Sequence, residues 1–489
     1  MTTTEAASAL PQEFPTLETL RSLIGGEWVD GAGATKEIRN PATGEAVSRL
    51  AFSSSEQIDE AVAAAKRAQR EWAKVPVAAR AATLLDAVNA IEAHVEEICL
   101  WISKEMGKTL AQAREELVDT TLLLSRASIE HGRTLSGQIQ PASDAHFADR
   151  RVQVIYQPVG VTAFISPWNF PVEMFMNCIA SMVMGNACVW KPSEWAPSGP
   201  LITARIFAEA GIPAGLLNVV WGGAEEGERL VAHGDVGVVC FTGSTAVGEQ
   251  ISRTAGVKRL VLELGGNGPL VILDDADLDR AVNAAVVDCF YQAGQVCTAA
   301  ERVLVHEAVH DEFVSRVAEA ARNLNVGDQL DEATEMGPLS DQRILDKVIA
   351  HVEDARTAGA TIVTGGEHHG LFYQPTVITG VTPDMRIARE ETFGPVLPVI
   401  KISSAEEALE IANDSEYGLT MAVFTSSLQT AYMMGEGLAA GQVNVNAGTT
   451  SAEVGAPFGG WKKSGIGRIL GEAGCREFTN VKTLCISTG

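Results

Sequence analysis

The sequence predicts an α/β fold with two doubly wound parallel sheets in series. The chain has 489 residues, more than one hydrophobic core usually holds, because domains typically comprise about 100–200 residues. From Arg151 onward, short β-branched runs alternate with helical segments, which is typical of a parallel sheet with helices on both faces. This alternation occurs twice, and the second series begins near Gly265-Gly266.

The elements before Arg151 differ in kind from those after it. Residues 1–50 contain turn-forming clusters at Gly25–Trp28 and Pro41–Gly44, which are typical of an arm followed by short hairpins. Apolar residues at helical spacing then predict three helices, at Ser55–Trp72, Ala78–Met106 and Leu110–Gly132.

Buried strands are predicted where β-branched and aromatic residues form short apolar runs. The first series comprises the strands Val161–Ile165, Ala187–Lys191, Leu217–Val220 and Val236–Phe241, with helices at Ser198–Ala210 and Glu226–Val231. The second comprises Leu270–Leu273, Arg302–His306, Thr361–Val363, Val396–Ile402, Met421–Phe424 and Gln442–Asn446. Each series is long enough to form a sheet of its own.

Charge and composition argue against several classes of function. The net charge of −25 disfavours nucleic acids and anionic membranes as partners, because both require clustered Lys and Arg. No apolar stretch reaches the roughly 18 residues of a membrane helix, and residues 1–20 lack the pattern of a secretory signal. The eight cysteines are spread along the chain without a CxxC pair. We therefore expect a reducing, cytoplasmic location and no disulfide framework.

One cysteine lies in a segment that suits a nucleophile. Cys297 follows a predicted helix in the segment Phe290-Tyr-Gln-Ala-Gly-Gln-Val-Cys297-Thr298, where a glycine and small polar residues can present a thiol without burying it. Attack requires the thiolate, which the site must generate from a thiol with a pKa of about 8.5. The alternative is a buried structural cysteine, which is the better interpretation of Cys289 inside the preceding helix.

Two further segments place polar groups directly after apolar strands. In Val261-Leu-Glu263-Leu-Gly265-Gly266, apolar neighbours suit a general base by raising the pKa of the carboxyl. In Phe164-Ile-Ser-Pro167-Trp168-Asn169-Phe170-Pro171, two prolines fix an Asn whose amide can donate to an oxyanion. The alternatives are a solvated Glu at a strand end and an ordinary turn before a helix.

Two strand ends suit a dinucleotide. Lys191 and Glu194 follow a strand and can both reach a ribose, and a carboxylate there repels a 2′-phosphate, which favours NAD over NADP. Gly243 and Ser244 precede a helix whose first N–H groups suit a pyrophosphate. The second segment lacks the GxGxxG pattern, so it has little specificity alone.

A zinc-protease pattern also occurs, at His306-Glu-Ala-Val-His310. Zinc binding by H-E-x-x-H requires both histidines on one helical face. Because His306 closes a predicted strand, we expect no metal site here.

Taken in this order, the segments resemble the aldehyde dehydrogenase superfamily over about Leu23 to Cys485. The resemblance implies that Cys297 is the nucleophile, Glu263 the general base and Asn169 the oxyanion donor. It assigns cofactor contacts to Ile165, Ser166, Pro167, Trp168, Lys191, Ser193, Glu194, Gly243, Ser244, Gly265, Glu391 and Phe393. It assigns the substrate entrance to Phe170, Met174, Asn177, Tyr291 and Phe458, beside a late signature at Pro457–Ser464.

Three positions depart from the family pattern. They are Asn267, where Lys is common, Trp461, where Tyr or Phe is usual, and Ile469, where Glu is common. None of them removes a catalytic group, so they leave open the subfamily and the substrate, not the reaction.

The resemblance implies oxidation of an aldehyde to a carboxylic acid with NAD. Cys297 attacks the aldehyde, hydride transfer leaves a thioester, and Glu263 activates the water that hydrolyses it. Branches that pass the acyl group to coenzyme A do not need this base, so hydrolysis is favoured. A non-catalytic NAD-binding structural protein is the alternative from another class, and the complete set of Cys297, Glu263 and Asn169 argues against it.

The substrate and the assembly are expectations of the same kind. The entrance residues are apolar to mildly polar and include no Arg, which favours a neutral aliphatic or aromatic aldehyde. A semialdehyde stays open, because an Arg could come from another loop. The resemblance further implies a homodimer or homotetramer. It predicts a Rossmann-like NAD-binding domain (1–136 and 158–264), a catalytic domain (265–465) and a small β oligomerisation extension (137–157 and 466–489).

Overall fold

The computed structural model describes residues 19–488, so part of the predicted N-terminal arm lies outside the described residues. The strands in chain order are β1 Thr19–Leu20, β2 Ser22–Ile24, β3 Glu27–Val29, β4 Thr35–Arg39, β5 Ala46–Ala51, β6 Gln138–Gln140, β7 Arg150–Pro158, β8 Val161–Ile165, β9 Ala187–Lys191, β10 Leu217–Val219, β11 Val236–Thr242, β12 Arg259–Glu263, β13 Gly268–Ile272, β14 Ala300–His306, β15 Thr361–Thr364, β16 His368–His369, β17 Phe372–Tyr373, β18 Thr376–Thr379, β19 Val396–Ile402, β20 Thr420–Phe424, β21 Gln442–Val445, β22 Gly465–Ile466 and β23 Thr479–Ser487.

The α-helices in chain order are α1 Ser55–Trp72, α2 Val77–Ile91, α3 Val95–Met106, α4 Leu110–Arg114, α5 Leu123–Thr134, α6 Phe175–Val183, α7 Ser198–Glu209, α8 Ala224–Ala232, α9 Thr245–Thr254, α10 Leu278–Phe290, α11 His310–Asn323, α12 Gln342–Thr357, α13 Arg386–Arg389, α14 Ala405–Asn413, α15 Leu428–Gly437 and α16 Gly471–Glu477. Among residues 19–488, no helix is long and apolar enough to span a membrane.

The first large sheet has a doubly wound centre. Its strands lie in the order β22-β12-β11-β8-β9-β10-β2-β3, and the five central strands from β12 to β10 are parallel. The chain moves outward from β8 through β9 to β10 and then returns to β11 on the other side of β8. This reversal opens a crevice at the carboxyl ends of β8 and β11, where α/β proteins bind ligands.

The second large sheet has the order β15-β18-β19-β14-β13-β20-β21. All of its strands except the edge strand β15 run parallel. The two predicted strand series are thus two separate sheets, each with its own buried core. After β12 the chain passes from the first sheet to the second between Glu263 and Gly268.

Two predicted helices are irregular. The predicted helix Ala78–Met106 is divided by a 3₁₀ turn at Glu92–His94, and Leu110–Gly132 contains a π-helical segment at Glu115–Leu122. Helical periodicity does not reveal a π segment, because one inserted residue barely changes the apolar spacing within a turn. Such segments occur frequently at functional sites.

The β extension is shorter than predicted at the C-terminus. Strands β6, β7 and β23 form an antiparallel sheet in which β23 pairs with β7 over its full length. However, β22 pairs with β12, and Ile469, Cys475 and Phe478 are buried in the first core. Residues 466–478, which the sequence assigns to the extension, thus contact the first domain, where α16 packs on α5.

Candidate active site

A cavity of about 920 Å³ lies at the carboxyl ends of β8, β9 and β11. Every residue that we predicted as catalytic, cofactor-binding or substrate-binding lines it. These residues are Ile165, Ser166, Pro167, Trp168, Asn169, Phe170, Met174, Asn177, Lys191, Ser193, Glu194, Gly243, Ser244, Glu263, Gly265, Tyr291, Cys297, Glu391, Phe393 and Phe458. The sequence motifs, which are far apart in the chain, thus meet in one place.

A strained loop presents Cys297 to this cavity. After α10, Gln292 and Ala293 both have φ of 54°, and Gly294 has φ of 70°. A side chain at Gly294 would lie 2.1 Å from the Gly394 carbonyl oxygen, so this position requires glycine. Cys297 is partly exposed whereas Cys289 is buried, as the sequence predicted. Such strain is commonly found at functional sites.

Asn169 contacts the same loop from the turn after β8. Its Nδ2 donates to the Gln295 carbonyl oxygen at 2.9 Å, and Gln292 Nε2 donates to the Asn169 carbonyl oxygen at 2.8 Å. An amide nitrogen carries two hydrogens, so one remains for an oxyanion formed near Cys297.

Glu263, the last residue of β12, is a buried carboxyl beside the thiol. Burial and the negative charge of Glu173 raise its pKa to about 8, an effect that contacts with Cys297 and Thr242 partly offset. Its Oε1 has no hydrogen-bond partner among residues 19–488. Burial, Glu263 and Glu173 in turn raise the pKa of Cys297 above its ordinary value. Before substrate binds, Cys297 is therefore a protonated thiol beside a carboxyl whose pKa of about 8 suits a general base.

The cofactor end of the cavity is formed by three strand ends. Lys191 Nζ donates to the Gly222 carbonyl oxygen at 2.7 Å and lies 4.0 Å from Glu194 Oε2. Ser244 caps the N-terminus of α9, and Ser244, Ala246 and Val247 of this first turn line the cavity. A ribose hydroxyl pair and a pyrophosphate fit these groups.

The opposite wall comes from the second sheet. Glu391 accepts the Gly266 N–H at 3.0 Å, and Phe393, with φ of 60°, lies edge-on to Trp168 at 5.7 Å. The buried Glu301 of β14 accepts the N–H groups of both Thr392 and Phe393 at 2.6 Å. This carboxylate therefore fixes the turn that carries the predicted nicotinamide contacts.

Sequence reasoning missed Glu301 and Glu173. Glu301 lies in the buried strand β14 next to Arg302, before an apolar run, and Glu173 follows the Pro167–Pro171 turn in an apolar run. A charge inside an apolar buried segment is the signal that could have identified both, because such a charge is rarely retained without a partner or a role.

The substrate end carries acidic and apolar groups. Glu115 and Glu173 line it together with the five predicted entrance residues. The cations that line the cavity are Lys191, Arg343 and Lys347. The charged groups next to them belong to the cofactor end of the cavity and not to the substrate end. Arg343 stacks on Trp195 beside Glu194. The positive charge of Lys347 lowers the pKa values of the Glu301 and Glu391 carboxyls. Among the described residues that line the cavity, no Arg or Lys lies at the substrate end.

Comparison with known proteins decides the family. The sequence model described as "Aldehyde dehydrogenase family" matches residues 28–484. The chain belongs to the aldehyde dehydrogenase family. It is accordingly an NAD(P)-dependent oxidoreductase that acts on aldehydes, and its α/β architecture is that of the family.

Individual aldehyde dehydrogenases are similar over nearly the full length. The mitochondrial succinate-semialdehyde dehydrogenase of Oryza sativa subsp. japonica is 38% identical, with 95% of this chain and 89% of that protein covered. The vanillin dehydrogenase of Corynebacterium glutamicum is also 38% identical, with 95% and 97% covered. A crystal structure of an NADP-dependent enzyme of E. coli superposes with a TM-score of 0.93 at 36% identity, with 96% and 98% covered.

The three departures from the aldehyde dehydrogenase pattern lie in different surroundings. Asn267 is buried, and its Nδ2 donates to the Glu390 carbonyl oxygen at 3.2 Å. Trp461 is exposed. Ile469 lines the cavity, so of the three only this one replaces a carboxyl with an apolar group at the site.

Proposed function

We propose that this aldehyde dehydrogenase forms a thioester on Cys297 and hydrolyses it with water activated by Glu263. The observation that carries the proposal is the buried Glu263 carboxyl in the cavity that Cys297 lines. Its pKa is raised, and one of its oxygens has no hydrogen-bond partner within residues 19–488. A base of this kind is needed for hydrolysis but not for transfer to coenzyme A.

Each residue has a distinct part in the proposed reaction. Glu263 accepts the proton of the Cys297 thiol, and the thiolate attacks the aldehyde carbon. The oxyanion is held by the free Asn169 N–H and the Cys297 backbone N–H, and loss of one such donor costs about 10²–10³ in rate. Between the two halves Glu263 releases the thiol proton to solvent. It then deprotonates the water that attacks the thioester, the C–S bond breaks, the Cys297 sulfur regains a proton, and the acid leaves.

We propose NAD as the preferred cofactor. When bound, its nicotinamide ring supplies the hydride acceptor that turns the adduct on Cys297 into the thioester. Glu194 and Lys191 would hold the adenosine ribose, Ser244 the pyrophosphate, and Glu391 and Phe393 the nicotinamide ribose and ring. The Glu194 carboxylate repels a 2′-phosphate, which supports NAD over NADP, although Arg343 nearby would lessen that repulsion.

We propose a neutral aliphatic or aromatic aldehyde as the substrate. Glu115 and Glu173 at the substrate end disfavour a substrate carboxylate, because like charges repel. A semialdehyde is the second candidate, because relatives such as the rice enzyme are named succinate-semialdehyde dehydrogenases. The name of the vanillin dehydrogenase agrees with the first candidate.

A substrate panel tests both candidates. Benzaldehyde, hexanal and succinate semialdehyde are compared by kcat/KM, each with NAD and with NADP. We expect the neutral aldehydes to exceed the semialdehyde by at least about 10-fold, with NAD preferred. A higher kcat/KM for succinate semialdehyde would reverse the assignment, and no turnover of any aldehyde by the folded, NAD-binding protein would favour a structural role.

We further propose a cytoplasmic homo-oligomer. All eight cysteines are free, which supports a reducing compartment. Residues 137–157 and the strand β23 form the proposed oligomerisation extension, which leaves the NAD-binding domain with residues 466–478 in addition to 1–136 and 158–264. Residues 265–465 form the proposed catalytic domain.

A further inference from the structure

A buried ion pair lies directly behind the turn that carries Asn169. Lys108 Nζ is 2.7 Å from Glu116 Oε2, and both side chains are fully buried. Two buried charges lose their hydration, so neutral residues of similar size often give equal or greater stability. Stability alone therefore does not explain this pair.

Both members of the pair contact the turn. Glu116 Oε1 accepts the Val172 N–H at 2.9 Å, and Lys108 Nζ lies 4.1 Å from the centroid of the Phe170 ring, within the range of a cation–π contact. Phe170 and Val172 lie one and three positions after Asn169. On its other side, the turn is bonded to the Cys297 loop through Asn169, Gln292 and Gln295.

Local backbone geometry places the pair. Gly107, with φ of 97°, ends α3, and a side chain there would lie 2.9 Å from Pro41. Thr109 then caps α4, so Lys108 is held between two helix termini. Glu116 lies in the π-helical segment Glu115–Leu122, where the wider turn changes the direction of successive side chains relative to an α-helix.

We propose that Lys108 and Glu116 are positioning residues that fix Asn169 for oxyanion stabilisation. The inference rests on the proposed role of Asn169. Glu116 holds the backbone at Val172, and Lys108 holds the ring of Phe170. Together these contacts keep the Asn169 turn from shifting away from Cys297. A displacement of about 1 Å at a catalytic group can lower a rate by roughly 10²-fold.

The test combines Glu116→Gln with Asn169→Ala. Gln keeps the volume and one acceptor oxygen but loses the charge. If Glu116 acts through Asn169, we expect Glu116→Gln to lower kcat by about 10- to 100-fold in the native background and by less than about twofold in the Asn169→Ala background. KM for NAD should stay unchanged. The double variant Lys108→Met/Glu116→Gln, which leaves no unpaired buried charge, provides the same test if the single variant folds poorly.

Glu105→Gln is the matched control. Glu105 is a buried carboxylate of the same core that accepts the Ser198 N–H at 2.8 Å and the Ser48 hydroxyl at 2.6 Å, and it does not line the main cavity. We expect it to lower the melting temperature without lowering kcat of the folded enzyme.

The outcomes separate the two proposals. An unchanged kcat for Asn169→Ala would refute the proposed role of Asn169, and the positioning role would fall with it. A lowered kcat for Asn169→Ala, combined with an equal effect of Glu116→Gln in both backgrounds, would refute only the positioning role. An unchanged kcat for Glu116→Gln would also refute the positioning role.

Discussion

At the scale of single residues, the chemistry depends on carboxyls that share one buried region. Glu263 has a pKa raised to about 8, and Glu173 one raised to about 7, in each case chiefly by burial. The charge of Glu116 raises the pKa of Glu173 and that of Lys108 lowers it. The charge of Glu173 in turn raises the pKa values of Glu263 and Cys297. Because a base works in its ionised form, we expect the rate to rise with pH through the pKa of Glu263.

Glu173→Gln should move this limb of the pH profile. The substitution removes a negative charge that raises the pKa of Glu263, so the ionised base forms at lower pH. We expect the acidic limb of kcat to shift down by about one pH unit. Glu115→Gln is the control, because Glu115 lines the same cavity and is not among the main groups that shift the pKa of Glu263. Equal shifts for both variants would contradict a specific action of Glu173.

Glu263→Gln should separate the two halves of the reaction. The amide cannot activate water, so we expect kcat to fall by about 10²–10⁴. The pKa of Cys297 should fall as well, because a neighbouring charge that raises it is removed. Burial still holds the pKa of Cys297 above its ordinary value, so the experiment is run at alkaline pH, where the thiolate forms without Glu263. The acyl group should then accumulate on Cys297, visible as a mass increase in intact mass spectrometry. Cys297→Ala supplies the control without an adduct. Absence of the adduct in Glu263→Gln would argue against hydrolysis as the step that needs this base.

At the scale of elements, one buried carboxylate of β14 holds the turn before β19. Gln in place of Glu301 offers one acceptor oxygen where the N–H groups of Thr392 and Phe393 need two. A hydrogen bond to a charged group contributes about 1.5–3 kcal/mol, so we expect KM for NAD to rise by roughly 10-fold or more. Glu307→Gln, on the exposed turn after the same strand, should leave KM unchanged. Fluorescence titration with NAD would check that binding and not turnover has changed.

The sequence predicted regular elements better than irregular ones. The strands β8, β9 and β19 and the helix α1 have the predicted bounds, because apolar periodicity depends on which face is buried. The π-helical segment, the left-handed turn at Gln292 and the position of Glu173 depend on contacts between distant segments. No local pattern could show that α16 packs on α5, or that Lys108 and Phe170 meet.

At the scale of the whole molecule, the β extension leaves apolar side chains uncovered. Ile139 is 78% exposed and Val481 62% exposed, on strands paired to the two sides of β7. Such residues at a sheet of this kind indicate a partner surface. We expect Val481→Glu to lower the mass in light scattering to that of a single chain, with unchanged circular dichroism. Val257→Glu is the control, because Val257 is a fully exposed residue of the first domain's surface. An unchanged mass for Val481→Glu would place the interface elsewhere.

The route of the chain between the two sheets has a consequence for how this enzyme loses activity. Glu263 is the last residue of β12 in the first sheet, and Asn169 lies in the turn after β8 of the same sheet, whereas Cys297 lies in the connection between β13 and β14 of the second sheet. The reaction therefore depends on the relative position of the two sheets. In a denaturant titration, turnover should disappear before circular dichroism changes. A small shift between the two sheets moves Cys297 away from Glu263 and Asn169, which stops the reaction while both sheets remain folded.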